Sequence, residues 1–159
     1  MRLATIKHNN AEIAGIVTSK GILPIAALNE AKGTSYKTDM LSLIQTGEIP
    51  AMTDWYNAGG KAELESMAGL VPNDQVVYAP LYRNPKRIFG IRLNYVDHAG
   101  DIGSAAPTGF PGSFFKMADT LVGPGDEIKL PKLKEAQKTT AEAELGVVKN
   151  FPTFFSFGP

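Results

Sequence analysis

The sequence contains no cysteine among its 159 residues. Disulfide bonds and thiolate metal sites are therefore excluded, so oxygen or histidine ligands would have to hold any metal. Charge of one sign is not in excess, because 16 lysines and arginines balance 16 aspartates and glutamates. This balance gives no electrostatic reason to expect nucleic acid or an anionic membrane as a partner. No apolar run approaches the length of a membrane span, and the N-terminus lacks a signal-peptide core, so we expect a cytoplasmic protein.

The composition is otherwise that of a globular protein. Hydrophobic residues make up 43% of the chain, which is sufficient for a substantial core. The length suits one domain, or a small domain with part of another. The 16 glycines and 11 prolines favour a turn-rich, β-dominated body over a helix bundle.

The first half of the chain alternates strand, turn and helix signals. An Asn9-Asn10 turn between two alternating apolar runs predicts a β-hairpin. A short strand and a helix closed by Gly33 should follow, and Thr38 is the expected N-cap of the next helix. The predicted elements are strands 2–8, 11–18 and 22–24, helices 25–32 and 39–46, a helix around Trp55 and Tyr56 broken at Gly59-Gly60, a weak helix 62–67, and an extended linker 73–85.

The groups that could carry chemistry are sparse and lie between Arg87 and Val148. The run Ile88–Ile91 predicts a buried strand, and residues 96–101 predict a short helical turn. His98 and Asp101 then stand three positions apart, share a helix face and could form a hydrogen bond. Such a spacing is also typical of an ordinary polar surface pair, and Lys116 could equally be a plain surface lysine.

Two glutamates, Glu142 and Glu144, lie within an apolar β-prone run. Strands are predicted at 128–130 and 143–148, with a solvated connection over 132–140 between them. Residues two apart in a strand point to the same face, roughly 6.6 Å apart, so both carboxylates could bind one hard divalent cation. Apolar neighbours favour this interpretation, because buried carboxylates need a cation or hydrogen-bond donors. An exposed strand face would show the same spacing.

Several segments, taken in order, resemble a known enzyme family. The motifs N-Y-V-D-H, F-F-K, G-P-G-D-E-I-K-L-P and A-E-L-G-V-V are similar to those of the fumarylacetoacetate hydrolase family, and the N-terminal M-R-L-A-T-I-K-H resembles the small domain in front of its catalytic part. The resemblance implies an α+β, mainly β fold, with a small domain over 1–80, the start of the catalytic domain over 81–148 and a divergent tail over 149–159. It also implies a metal-dependent hydrolase or lyase that cleaves a C–C bond, or decarboxylates, in a small β-diketo or 2-oxo acid.

The same resemblance implies a role for each candidate residue. His98 and Asp101 would form the catalytic dyad, Lys116 and Tyr95 would contact the substrate, and Glu142 and Glu144 would bind Mg²⁺ or Mn²⁺, with Ca²⁺ as a further candidate. The partner would be a small oxo-acid substrate, with a homodimer expected for the full-length family member.

The chain departs from the family pattern at three places. The family usually has a glutamate where this chain has Asp101, and a glycine where it has Arg92. Its third metal carboxylate lies beyond the point at which the resemblance ends, Val148. We therefore expect a C-terminally truncated member, and the alternative is an inactive fragment or a binding module.

Overall fold

The computed structural model describes residues 1–93, 95–130, 132, 139, 141 and 144–148. Helices and antiparallel strands are both present, which confirms the α+β class predicted from the sequence. The chain divides into two compact units. The first unit consists of Met1–Leu81 and the segment that starts at Val122, and the second unit consists of Tyr82–Leu121.

A four-stranded antiparallel sheet forms the centre of the first unit, with the strands in chain order. Asn9 and Asn10 take positive φ angles of 48° and 60°, which is the backbone of a tight two-residue hairpin turn. The hairpin predicted from these residues is therefore confirmed. The strands are β1 (Leu3–His8), β2 (Ala11–Val17), β3 (Gly21–Pro24) and β4 (Val71–Pro72).

The core of the first unit is built around strand β3. All four of its residues are buried, because the strand lies between β2 and β4 and is covered on both faces. Ile6, Ile22 and Val71 form a buried apolar cluster across the sheet. Four helices complete the unit: α1 (Ile25–Lys32), α2 (Met40–Thr46), α3 (Ile49–Trp55) and the single turn α4 (Lys61–Glu63).

The helix ends follow the sequence signals with one correction. Gly33 ends α1 in the left-handed conformation, as predicted. Helix α2, however, is capped by Asp39 rather than by Thr38: the Asp39 carboxylate accepts the backbone N–H of Ser42 at 2.9 Å. Both residue types can cap, and the aspartate stands one position closer to the first apolar residue of the helix, Met40.

Trp55 packs within the first unit. Helix α3 continues into a wide turn, Tyr56–Gly60, which is kinked at Gly59 with φ 123°. A Cβ on Gly60 would lie 2.4 Å from the Trp55 ring, so the indole lies directly against this glycine. The predicted break at Gly59-Gly60 is confirmed, and the region predicted as a weak helix contains α4 and the 3₁₀ turn Leu64–Ser66.

The predicted linker is partly attached to the sheet. After the 3₁₀ turn Asn73–Gln75, the chain runs antiparallel beside β1. The backbone N–H of Lys7 donates to the Val77 carbonyl at 2.7 Å, and that of Ala79 donates to the Thr5 carbonyl at 3.0 Å. The Thr5 hydroxyl donates to the Leu81 carbonyl at 2.6 Å, so this buried polar side chain is satisfied.

The second unit contains a hairpin and a short helix. Strand β5 (Ile88–Ile91) pairs antiparallel with β6 (Ser113–Lys116), and helix α5 (Val96–Asp101) lies between them in the chain. A 3₁₀ turn, Ala118–Thr120, ends the unit. The strand predicted at 88–91 is present, but it is not buried: Phe89 and Ile91 are 56% and 42% exposed. Within the described residues this sheet has two strands, and the face of β5 that carries Phe89 and Ile91 is exposed there.

The segment from Val122 begins with the predicted turn. The Asp126 N–H donates to the Gly123 carbonyl at 3.0 Å, and Gly125 has φ 81°, as a proline-glycine turn requires. The prediction of a strand at 128–130 is wrong, because these residues pair with no strand and Ile128 is 72% exposed. Most of the predicted connection 132–140 and the whole predicted tail 149–159 lie outside the described residues.

Candidate functional site

Helix α5 carries the first two candidate residues, His98 and Asp101. The helix begins after Tyr95, whose backbone is extended, and the Ala99 N–H donates to the Tyr95 carbonyl at 3.0 Å. The methyl group of Ala99 is fully buried and fixes the inner side of the helix. The helical turn predicted over 96–101 is therefore confirmed, and it places the two residues three positions apart on the helix.

The end of α5 is closed by backbone hydrogen bonds. The N–H of Gly103 donates to the Gly100 carbonyl at 2.9 Å, and the N–H of Ser104 donates to the Ala99 carbonyl at 2.8 Å. Gly103 has φ 68°, the left-handed conformation that commonly ends a helix. Asp101 is exposed and His98 is half-buried, so an external ligand can reach both side chains.

The turn that leads into α5 has an unexpected conformation. Arg92 stands where the family pattern has glycine, but its backbone continues the β-ladder and donates to the Gly112 carbonyl at 2.7 Å. The positive φ of 58° belongs to the next residue, Leu93. A leucine in this region of φ/ψ space is strained, so the surrounding turn holds it there. Asn94, which follows, lies outside the described residues.

The two predicted substrate contacts both reach solvent. Tyr95 is 42% exposed at the start of α5. Lys116 is the last residue of β6 and lies opposite Ile88, and its ammonium is 5.7 Å from the Phe114 ring centroid. An ammonium at this distance from an aromatic face is weakly attracted to it, and it stays available to a carboxylate ligand. Tyr95, His98, Asp101 and Lys116 therefore all belong to the second unit.

Of the predicted carboxylate pair, the structure describes one residue. Glu144 is exposed within 144–148, a stretch without strand structure, and Glu142 lies outside the described residues. The predicted strand is therefore absent from its described part. Leu145 and Val147 are 85% and 79% exposed, so the expectation that apolar neighbours bury Glu144 is wrong. The reason is the same as at 128–130: a β-prone run needs a partner strand.

The described residues do not by themselves form a closed metal centre. No group of three or more His, Cys, Asp or Glu side chains that could hold a metal ion occurs among them. Glu144 offers one open carboxylate, whereas Mg²⁺ and Ca²⁺ normally take several oxygen ligands from protein, substrate or water. The ligand set Glu142 and Glu144 therefore stays a prediction.

One ion pair in the first unit was not predicted from the sequence. Lys7 in β1 binds Asp126 of the G-P-G-D turn at 3.0 Å, although 119 positions separate them in the chain. No local pattern signals a contact over such a distance, although both residues lie in motifs singled out above, M-R-L-A-T-I-K-H and G-P-G-D-E-I-K-L-P.

Part of the second unit and the segment after it match a family model. Residues 87–153 match the family described as fumarylacetoacetate (FAA) hydrolase C-terminal. This range contains every candidate site residue named above.

Separately, no helix in the described part of the chain has the length and apolar character of a membrane span.

Two curated proteins illustrate the sequence similarity. The mitochondrial oxaloacetate tautomerase fahd2 of Xenopus laevis is 31% identical over 109 residues, which cover 69% of this chain and 31% of that protein. Fumarylacetoacetate hydrolase domain-containing protein 2 of Pongo abelii is 33% identical over 85 residues, which cover 54% of this chain and 26% of that protein. The chain thus spans about a third or less of the length of these relatives.

A solved structure has a similar fold. A crystal structure of an HpcE-type protein from Mycobacterium smegmatis superimposes with a TM-score of 0.57 at 24% sequence identity. The match covers 83% of this chain and 41% of that one. At this identity the likeness concerns the fold alone.

Proposed function

We propose that this chain, in which residues 87–153 match the fumarylacetoacetate hydrolase family, is a member of that family and acts on a small 2-oxo or β-diketo acid. The proposed reaction is metal-dependent hydrolytic cleavage of a C–C bond next to a carbonyl, or decarboxylation of the same type of acid. The observation that carries the proposal is helix α5, which places His98 and Asp101 three residues apart within the family match.

His98 is the proposed general base. An imidazole titrates close to neutral pH, so it can accept a proton from water and later return it. Water activated in this way attacks the carbonyl carbon, and the bond to the neighbouring carbon then breaks. Asp101 is proposed to hold the imidazole in one orientation and to stabilise its protonated form. The shorter aspartate reaches less far than the glutamate usual in the family, so we expect a working but weakened dyad.

Tyr95 and Lys116 are the proposed substrate contacts. Both are exposed in the second unit, together with the proposed base. The Lys116 ammonium would pair with the carboxylate of the oxo acid, and the Tyr95 hydroxyl would donate a hydrogen bond. These contacts would orient the substrate rather than take part in bond breaking.

Glu142 and Glu144 are the proposed ligands of Mg²⁺ or Mn²⁺, with Ca²⁺ as a further candidate. When bound, such an ion would stabilise the negative charge that develops on the oxo-acid oxygens. Support comes from the family match, which includes both positions, and from the open carboxylate of Glu144. The substrate would complete the set of oxygen ligands.

Tautomerisation is a second candidate reaction. The Xenopus laevis relative and a Homo sapiens relative, 32% identical over 85 residues, are both named oxaloacetate tautomerases. Moving a proton between carbon and oxygen of a 2-oxo acid passes through an enolate, and cleavage and decarboxylation also develop enolate charge on the oxo oxygen. A base such as His98 would serve all three reactions, so assays should monitor each of them.

The alternative is a chain without catalytic activity that acts as a fragment or binding module. Its support is the open face of the β5–β6 hairpin, where the cross-strand neighbours Phe89 and Phe115 are 56% and 69% exposed. Unpaired strand edges and exposed aromatic side chains favour association with other chains. This alternative predicts that no oxo acid is turned over at any metal concentration.

Turnover assays with a histidine control distinguish the two functions. Oxaloacetate and an acylpyruvate would be supplied with Mg²⁺ or Mn²⁺, and product and enol content measured. We expect His98→Ala to lower kcat about 100-fold or more. His8 is the only other histidine and lies in β1, so His8→Ala is the matched control and should retain activity. Equal loss in both variants, or no turnover by the wild-type chain, would overturn the proposal.

The homodimer and the cytoplasmic location stay predictions. Names of two relatives include the word mitochondrial, so the compartment of this chain should be tested directly by cell fractionation. Sedimentation equilibrium would establish whether two chains associate.

A further inference from the structure

The chain leaves the first unit and returns to it at two neighbouring points of that unit. Pro80 and Gly123, which stand just outside Tyr82–Leu121, are both buried and in contact. A Cβ added to Gly123 would lie 2.7 Å from Pro80 Cδ and 3.0 Å from Pro80 N. Only glycine allows such a close approach, so the 40-residue segment leaves and rejoins the first unit through one narrow base.

The entering end of this segment is fixed by strand β1. The carbonyl of Val77 accepts the Lys7 N–H at 2.7 Å, and the carbonyl of Leu81 accepts the Thr5 hydroxyl at 2.6 Å. The Thr5 side chain is 5% exposed, so water does not compete well for its hydrogen bond. These bonds fix the backbone up to Leu81, the residue of the first unit that directly precedes the segment.

The returning end is fixed by Asp126. One carboxylate oxygen accepts the Gly123 N–H at 2.8 Å and thereby closes the G-P-G-D turn. The other oxygen accepts the Lys7 ammonium at 3.0 Å. The same residue of β1 therefore binds the entering end through its backbone and the returning end through its side chain.

We propose that Lys7 and Asp126 hold together the two points of the first unit between which the segment that carries His98 is inserted. We call this ion pair, with the Pro80–Gly123 contact, the base clamp. The clamp can be tested without turnover. An isolated surface pair contributes little, whereas this one is coupled to the turn and to the β-ladder at the same point.

Amide exchange tests whether the clamp holds the turn. Lys7→Met keeps most of the side-chain length but removes the charge, and it should raise hydrogen exchange at Gly123 and Asp126 roughly two- to fivefold. Lys7→Arg should restore wild-type exchange. The matched control is Lys20→Met, which removes a similar exposed pair with Glu65 (3.4 Å) elsewhere in the first unit and should leave the turn unchanged.

A distance measurement within the first unit tests whether the clamp holds the returning end in place. Because the chain has no cysteine, spin labels can be attached at Glu30→Cys in α1 and at Glu127→Cys next to the G-P-G-D turn, both exposed positions of that unit. Pulsed electron resonance should show a broader distance distribution after Lys7→Met and the original width after Lys7→Arg.

Each result supports or overturns the clamp. Wild-type exchange and an unchanged distance distribution in Lys7→Met would overturn it. So would faster exchange with an unchanged distance distribution, because the pair would then stabilise only the turn. A wild-type chain without turnover would contradict the proposed function, while exchange and distance data would still decide on the clamp.

Discussion

Phe89 and Phe115 lie directly opposite each other in the β5–β6 hairpin, and their rings meet edge to face with centroids 5.4 Å apart. Both side chains are more than half exposed, at 56% and 69%. The pair therefore stabilises the hairpin mainly through cross-strand ring contact and only partly through burial. This hairpin precedes and follows the helix that carries His98, so its stability affects the whole second unit.

Truncation of one ring should loosen the hairpin. Phe115→Ala removes the edge-to-face contact and should destabilise the second unit by about 1 kcal/mol. Amide exchange along 88–91 and 113–116 would report the loss. Phe110 is fully exposed on the loop before β6, so Phe110→Ala is the matched control and should leave exchange unchanged. Equal effects of the two substitutions would contradict a specific role of the ring pair.

Helix α2 provides a test of capping. Asp39→Ala removes the acceptor of the Ser42 N–H and should lower the free energy of unfolding by about 1 kcal/mol, whereas Thr38→Ala should have little effect. Chemical denaturation of both variants measures the difference. A larger effect of Thr38→Ala would show that the threonine caps the helix after all.

The same cap predicts a pH dependence. Desolvation raises the pKa of Asp39, but hydrogen bonds from Ser42 and its own backbone, with the nearby Lys37 charge, outweigh it, and the net pKa is lowered. A carboxylate with a lowered pKa stabilises the fold above its unfolded pKa of about 4, and this contribution is lost as pH falls through the folded value. The stability difference between wild type and Asp39→Ala should therefore shrink below about pH 4. A constant difference down to pH 2 would contradict this explanation.

Two glycine substitutions should have opposite effects. Gly123→Ala forces a methyl group to within 2.7 Å of Pro80 and should destabilise the chain by about 1–3 kcal/mol. Gly100 lies within α5 with open space around its Cβ position, so Gly100→Ala should stabilise the helix by up to about 1 kcal/mol. Thermal unfolding of the two variants measures both changes in stability. A neutral Gly123→Ala would contradict the steric argument that only glycine fits against Pro80.

The charge and the length of the side chain at position 101 should affect activity. Asp101→Asn removes the charge that would stabilise protonated His98 and should lower kcat by about tenfold or more. Asp101→Glu restores the side chain usual in the family and should keep or raise kcat, because the carboxylate reaches further. The kcat values of both variants on the substrate turned over by the wild type provide the test. If Asp101→Asn matches the wild type, Asp101 does not act with His98.

The sequence predicts best the elements that depend on neighbouring residues. Asn9 and Asn10 adopt positive φ angles readily, so the first hairpin follows from local chemistry. Helix α5 and the left-handed end of α1 at Gly33 are likewise local. The error at Thr38 is small for the same reason, since two adjacent residues compete for one cap.

Features that depend on distant residues were not predictable. Burial of Phe89 and Ile91 depends on what covers the strand, and apolar composition alone does not supply a second layer. The Lys7–Asp126 pair joins residues 119 positions apart, so no window of sequence contains both. The site is affected in the same way: helix α5 follows from local pattern, whereas metal binding by the two glutamates depends on contacts that no local pattern supplies, and it stays a prediction.

Metal binding by Glu142 and Glu144 is the central claim and is best tested by titration of Mn²⁺, followed by proton relaxation of bound water. The account predicts one site per chain with roughly millimolar or tighter affinity, lost in the Glu142→Gln/Glu144→Gln double variant and retained in Glu30→Gln, an exposed control in α1. Absence of binding, or equal binding by the double variant, would contradict the account.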